Sequence, residues 1–176
     1  MMKKILFTLV VLIISNICAS AQLPSTIFGC TFDKSTSSNV KQQLSRIGFE
    51  PTVNPNGSLF FSFLNSSHPN IDDTAPKLFG TWWQCCLFSF SNEVLSDVHL
   101  QNLYKNIKFA EDDYNSINDY LKNNYSKYFW KSGSSSSKQG YKEIKAVYYN
   151  SGNLYFKLLY GETKGEPFVA LQAYYR

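Results

Sequence analysis

The sequence predicts an α+β fold: an antiparallel sheet of about seven or eight strands with two helices packed on one face. Three observations carry this. Two segments place apolar residues three and four apart, the period of a helix: Val40, Leu44, Ile47, and then Ala110, Tyr114, Ile117, Leu121, Tyr125, Tyr128. The remaining apolar runs are short, rich in aromatic and β-branched residues, and bounded by turn signals, as strands are. The order is a helix and then a run of strands, twice: α-β-β-β-β followed by α-β-β-β. This tandem pattern sets pseudo-halves of about 26–105 and 106–176 without any residue-level repeat. With both helices on one face, the other face is free to meet solvent or a partner.

Residues 1–21 read as a secretory signal peptide. Lys3 and Lys4 precede the apolar run Ile5 to Ile14, and the small residues Ala19-Ser20-Ala21 follow. That run is about ten residues, and spanning a bilayer takes about 20. A lipoprotein signal ending at Cys18 is the rival, but Ile17 and Ser15 stand where a small residue and Leu belong. The chain is therefore expected to be exported, periplasmic or secreted, with no transmembrane segment. Residues 22–176 have the length of one α+β domain.

Thr26 to Phe32 is a short extended segment. Helix one is expected over 38–47, with the Ser/Thr-rich stretch before it offering N-caps and Gly48 ending it. A short strand Phe49 to Val53 turns at Asn54-Pro55-Asn56-Gly57 and returns as Leu59 to Leu64. Asn65 to Lys77 reads as a polar loop. Phe79 to Tyr104 then forms two long strands joined at Ser91-Asn92-Glu93. Alternation puts Trp82, Cys86, Phe88 and Phe90 on one face of the first strand, and Trp83, Cys85 and Leu87 on the other. Helix two is expected over 110–128, with Glu111, Asp112 and Asp113 in its first turn, where the helix dipole favours anions. Lys131 to Gly140, rich in Ser and Gly, reads as a mobile surface loop. Strands Tyr141 to Tyr149, Leu154 to Tyr160 and Phe168 to Tyr175 close the chain.

Charge excludes little by itself. The net charge of +4 falls to +2 without Lys3 and Lys4, and the remaining bases are scattered, so nothing points to nucleic acid. Three cysteines remain after the signal: Cys30, Cys85 and Cys86. Adjacent strand residues point to opposite faces, so Cys85 and Cys86 are poorly placed to bridge each other. Cys86 shares a face with Phe88 and Phe90, and Cys30 with Phe28 and Phe32. Cys30–Cys86 is thus the candidate disulfide, and three buried thiols acting as small hydrophobes are the alternative.

Catalytic constellations are thin. His68 and His99 lack Cys, His or acidic partners at ligand spacing, so no metal and no cofactor are expected. Cys85 with His99 on neighbouring strands is the sharpest enzymatic idea, although a mid-strand cysteine lacks the usual activation. Asp72-Asp73 and Asp112-Asp113 are sequence neighbours, not groups facing each other across a substrate. No Gly-rich phosphate loop, GxSxG or HExxH occurs. Aromatic residues make up 16% of the chain, with twelve tyrosines. Strands aromatic on both faces leave some rings on the helix-free face, where Tyr and Trp give contact area at low entropic cost. The ligand-contact candidates are Trp82, Trp83, Tyr148, Tyr155 and Tyr174.

Gly29-Cys30-Thr31-Phe32, Ser38-Asn39-Val40-Lys41 and Leu44 to Gly48 together resemble the opening of small envelope proteins of the SmpA/OmlA type. The doubled element order is similar to the tandem fold of β-lactamase-inhibitor proteins. This resemblance implies a concave antiparallel sheet backed by two helices that acts by binding. The lipid-attachment cysteine of the first family has no good match at Cys18. The reading is an exported, non-catalytic, monomeric binding module that contacts a protein or a glycan through the helix-free face. The alternatives are a small exported hydrolase using Cys85 or Cys86, and an envelope assembly or inhibitor protein.

Overall fold

A computed structural model provides the structure of the chain and describes residues 22–47, 49–62, 77–138 and 140–176. The signal segment, the Gly48 cap and most of the polar loop lie outside the described residues.

The expected α+β architecture is present. Helices α1 (Ser37–Arg46) and α2 (Ile107–Tyr125) accompany an eight-stranded sheet. Its strands are β3 (Thr52–Val53), β4 (Leu59–Ser62), β7 (Cys85–Ser91), β8 (Val94–Leu103), β9 (Phe129–Lys138), β10 (Tyr141–Ser151), β11 (Leu154–Thr163) and β12 (Glu166–Tyr175). Two small hairpins stand apart, β1 (Thr26–Ile27) with β2 (Cys30–Thr31), and β5 (Lys77–Leu78) with β6 (Thr81–Trp82). The order in the large sheet is β3-β4-β7-β8-β12-β11-β10-β9, and every pairing is antiparallel. In each half the strands run, in chain order, from an edge of the sheet inward. The halves therefore meet last strand to last strand, from Phe168 against Leu103 to Tyr174 against Asp97.

Local chemistry fixes the helices. Thr36 caps α1 reciprocally: its Oγ1 accepts from the Asn39 N–H at 3.3 Å, and its own N–H donates to Asn39 Oδ1 at 3.1 Å. Val40 and Leu44 are buried, whereas Ile47, expected in the same stripe, is the C-cap and is exposed. Asn106 caps α2, accepting from the Lys108 N–H at 2.8 Å, so the helix starts earlier than predicted. No acidic residue then lies in its first turn. Glu111 and Asp112 instead face Lys108 one turn back, and Asp113 accepts hydrogen bonds from Tyr104 and from Thr81, the latter at 3.0 Å.

Both helices bury their apolar residues in one cluster. Val40 and Leu44 of α1 and Tyr114, Ile117 and Leu121 of α2 join Phe61, Cys86, Phe88, Val98, Leu158 and Leu171 from alternating sheet positions. The helices thus share one face of the sheet.

Two expectations are corrected here. The stretch Lys131 to Gly140 is not a loop over its length, because β9 runs to Lys138 and pairs with β10. Its small residues are what the pairing needs: a side chain at Gly133 would meet the Tyr148 ring at 3.3 Å. Ladder hydrogen bonds come from the backbone, so Ser and Gly join once a neighbouring strand supplies partners. The long hairpin also starts late. Residues 83–84 leave the strand, and side-chain amides replace the ladder there. Asn102 accepts from the Gln84 N–H at 2.7 Å and donates to the Trp82 carbonyl at 2.9 Å, while Gln84 Oε1 accepts from the Leu103 N–H at 2.7 Å. This clasp breaks the alternation and turns Trp83 inward.

Candidate functional site

The residues of the other parity form the helix-free face, and cross-strand register arranges them in rows. One row crosses seven strands: Lys131, Tyr148, Lys157, Gln172, His99, Leu87 and Phe60. Beside it runs Asn150, Tyr155, Tyr174, Asp97 and Ser89. On the other side run Gly133, Ala146, Leu159, Ala170, Gln101 and Cys85. Neighbouring side chains in such rows are close enough to interact directly.

The first two rows hold an aromatic cluster. The Tyr155 and Tyr174 rings stack in parallel, centroids 5.1 Å apart. Trp130 meets Tyr148 at 6.3 Å and Tyr155 at 6.5 Å, both steeply inclined. A register shift in β9 brings Trp130 to these rings, and it is 55% exposed. Cations lie on the ring faces. Lys131 Nζ is 4.4 Å from the Trp130 centroid and 4.9 Å from Tyr148. The Arg176 guanidinium is 5.1 Å from Tyr174 and 5.6 Å from Tyr155. These are cation–π distances.

Toward β10 and β11 the face is packed. Ala146, Leu159, Phe168 and Ala170 form a second buried cluster to which neither helix contributes a buried residue. Lys157 and Glu143 make an ion pair at 2.6 Å, both largely buried. Burial by itself would lower the Lys157 pKa, but the hydrogen bond and charge of Glu143, with Tyr148 and Tyr141, hold it above the ordinary lysine value. The shift between Glu143 and Lys145 that admits this pair needs Gly161, because a Cβ there would lie 2.0 Å from the Lys142 carbonyl oxygen.

Toward β7 and β8 the long side chains give way to shorter ones, and a hollow opens. One part, about 300 Å³, lies among Leu87, Ser89, Asp97, His99, Gln172 and Tyr174. A second, about 230 Å³, continues over Phe60, Cys85 and Gln101 and shares Leu87 and His99 with the first. The Nε2 atom of His99 is buried and has no hydrogen-bond partner among the described residues. Burial, and then the charge of Lys157, lowers the His99 pKa and favours the neutral imidazole.

The structure sorts the candidate contacts. Tyr148, Tyr155 and Tyr174 lie together on the helix-free face. Trp83 does not: it is fully buried, with its indole N–H donating to the Leu78 carbonyl at 3.3 Å. Trp82 is half-buried and packs against the helix-side core. Trp130, absent from the sequence-based candidates, takes their place, and its adjacency to Lys131 was the available signal. Cys30, Cys85 and Cys86 are free thiols, so the structure has buried thiols where a Cys30–Cys86 bridge was the candidate. Cys30 Sγ points to its own hairpin, 3.7 Å from the Phe28 carbonyl. Cys86 sits between Phe61 and Leu100 in mid-sheet. Burial raises the Cys30 pKa to about 11 and that of Cys86 well above the ordinary thiol value. Cys85 and His99 share the hollow as diagonal neighbours, roughly 7–8 Å apart by sheet geometry. The Cys85 sulfur lies 3.4 Å from Ser62 Oγ.

Among the described residues no group of three or more His, Cys, Asp and Glu could hold a metal ion, and no helix is long and apolar enough to cross a membrane. The chain matches no protein-family model, no curated protein and no solved structure.

Proposed function

We propose that this protein is a non-catalytic binding module, exported by its N-terminal segment, that holds a protein partner on the helix-free face of its sheet. The supporting observation is the joined surface of Trp130, Tyr148, Tyr155 and Tyr174 beside the hollow over His99. Tyr, Trp and Arg next to a pocket are the residues that dominate protein contacts. A glycan would stack on ring faces, but Lys131 lies over Trp130 and Tyr148, and Arg176 over Tyr155 and Tyr174. That favours a protein over a sugar. The hydrolase alternative has less support, since Cys85 and His99 are diagonal neighbours and burial disfavours an imidazolium at His99.

The test places a photo-crosslinking residue at Tyr174, and a control at Lys41 on the exposed side of α1, in cells that make the protein. One discrete adduct from position 174, lost with Trp130→Ala, is expected. Equal adducts from both positions, or an adduct from 174 that Trp130→Ala leaves unchanged, would refute the reading.

A further inference from the structure

We propose that the partner presents an acidic segment to this face, its carboxylates meeting Lys131 and Arg176 while a neighbouring aromatic side chain enters the hollow over His99. The inference rests on the binding-module reading and specifies the chemistry of its partner.

Charge is the first argument. Lys157 is matched within the fold by Glu143 at 2.6 Å. Lys131 and Arg176 have no carboxylate partner among the described residues, and each is held against two aromatic rings. A cation already ordered by rings loses less freedom on pairing than a free surface lysine. The planar guanidinium keeps donors along its edge that suit a carboxylate. Asp97, the one carboxylate in the rows described above, lies beyond Tyr174 on the far side from Lys131, and accepts from Ser96 Oγ at 2.6 Å. The two cations therefore lie over the β9–β12 part of the face, and an acidic segment is oriented with its carboxylates there.

Shape is the second argument. The part of the hollow beside Tyr174, about 300 Å³, is at the small end of ligand sites, enough for one large side chain. Leu87 and Tyr174 supply apolar contact, Gln172 and Ser89 supply polar groups, and the Asp97 carboxylate in the same lining favours an uncharged side chain inside. The orphaned His99 nitrogen is the kind of buried group that a hydroxyl or water satisfies. A tyrosine brings a ring and a hydroxyl together. Tyr174 belongs to both the hollow and the aromatic cluster, so one short segment reaches both.

The full chain, isotope-labelled, is titrated separately with a random copolymer of glutamate and tyrosine, one of lysine and tyrosine, and heparin, following backbone amide shifts. The glutamate–tyrosine polymer is expected to bind, with shifts concentrated at Lys131, Tyr155, Tyr174 and His99. Lys131→Ala combined with Arg176→Ala should weaken it about tenfold or more, since hydrogen bonds to charged groups are worth that much. Both side chains lie at the surface, and an unchanged thermal midpoint verifies the fold. Equal binding of the lysine polymer, binding of heparin alone, shifts elsewhere, or no effect of the double variant overturns the proposal. If no polymer binds while Trp130→Ala still abolishes crosslinking from position 174, the acidic assignment fails and the binding face stands. If Trp130→Ala leaves that crosslink intact, the binding face itself fails.

Discussion

Replacing Trp83 with Ala should separate the two faces of this sheet energetically. Trp83 is fully buried, and its indole N–H is bonded to the Leu78 carbonyl. Truncating a buried aromatic side chain removes its transfer free energy and leaves a cavity, together about 3–5 kcal/mol. For a chain of this size each kcal/mol shifts the thermal midpoint by about 2–4 °C, so a fall of roughly 6–20 °C is expected. The paired control is Trp130→Ala. That ring is 55% exposed and loses mainly its contacts with Lys131 and two tyrosines, so about 1 kcal/mol or less is expected. Denaturant unfolding followed by far-ultraviolet circular dichroism measures both without relying on tryptophan emission. A Trp83→Ala variant within about 1 kcal/mol of the parent, or one less damaged than Trp130→Ala, would refute the assignment of Trp83 to the core.

Three other outcomes are expected. Gly161→Ala puts a methyl 2.0 Å from a backbone oxygen that cannot rotate away, and should cost about 1–3 kcal/mol or more by overpacking, whereas Gly133→Ala, whose Cβ would come no closer than 3.3 Å, to the Tyr148 ring, should cost less; denaturant midpoints compare them. In the native protein a thiol reagent should label Cys85, which is half-buried, and reach Cys30 and Cys86 only after unfolding; if unfolding without reductant releases neither, the two are bridged. His99 has its folded pKa below the ordinary 6.5, so the unfolded chain binds the proton more readily. Stability should therefore fall as the pH drops through 6.5 toward the lower folded value, and His99→Gln should flatten that slope in denaturation series across this range.

How legible the chain was depended on whether local pattern and tertiary pairing agreed. The helical stripes through Leu44 and Ile117 are local, and both helices were readable to within a few residues. The turn at Asn92 and Glu93 was readable too, and both residues take the positive φ of a two-residue hairpin. β9 was hidden because Ser and Gly carry no strand preference; its pairing is dictated by β10 and by the space beside Tyr148. Trp83 was misplaced because period-two reasoning assumes an unbroken strand, and the Asn102–Gln84 clasp that breaks it joins residues distant in sequence. Trp130 was missed for the same kind of reason: a register shift sets its direction. The hollow depends on side-chain lengths across β12, β8 and β7, strands whose adjacency the sequence does not state.

The contact role of the helix-free face is most directly measured by hydroxyl-radical footprinting of the protein, first alone and then in the extract that contains its partner. Protection of Trp130, Tyr155 and Tyr174, with Phe109, which is 62% exposed, unchanged, is the predicted pattern. Protection of Phe109 and the outer side of α2, with Trp130 still fully reactive, would contradict it.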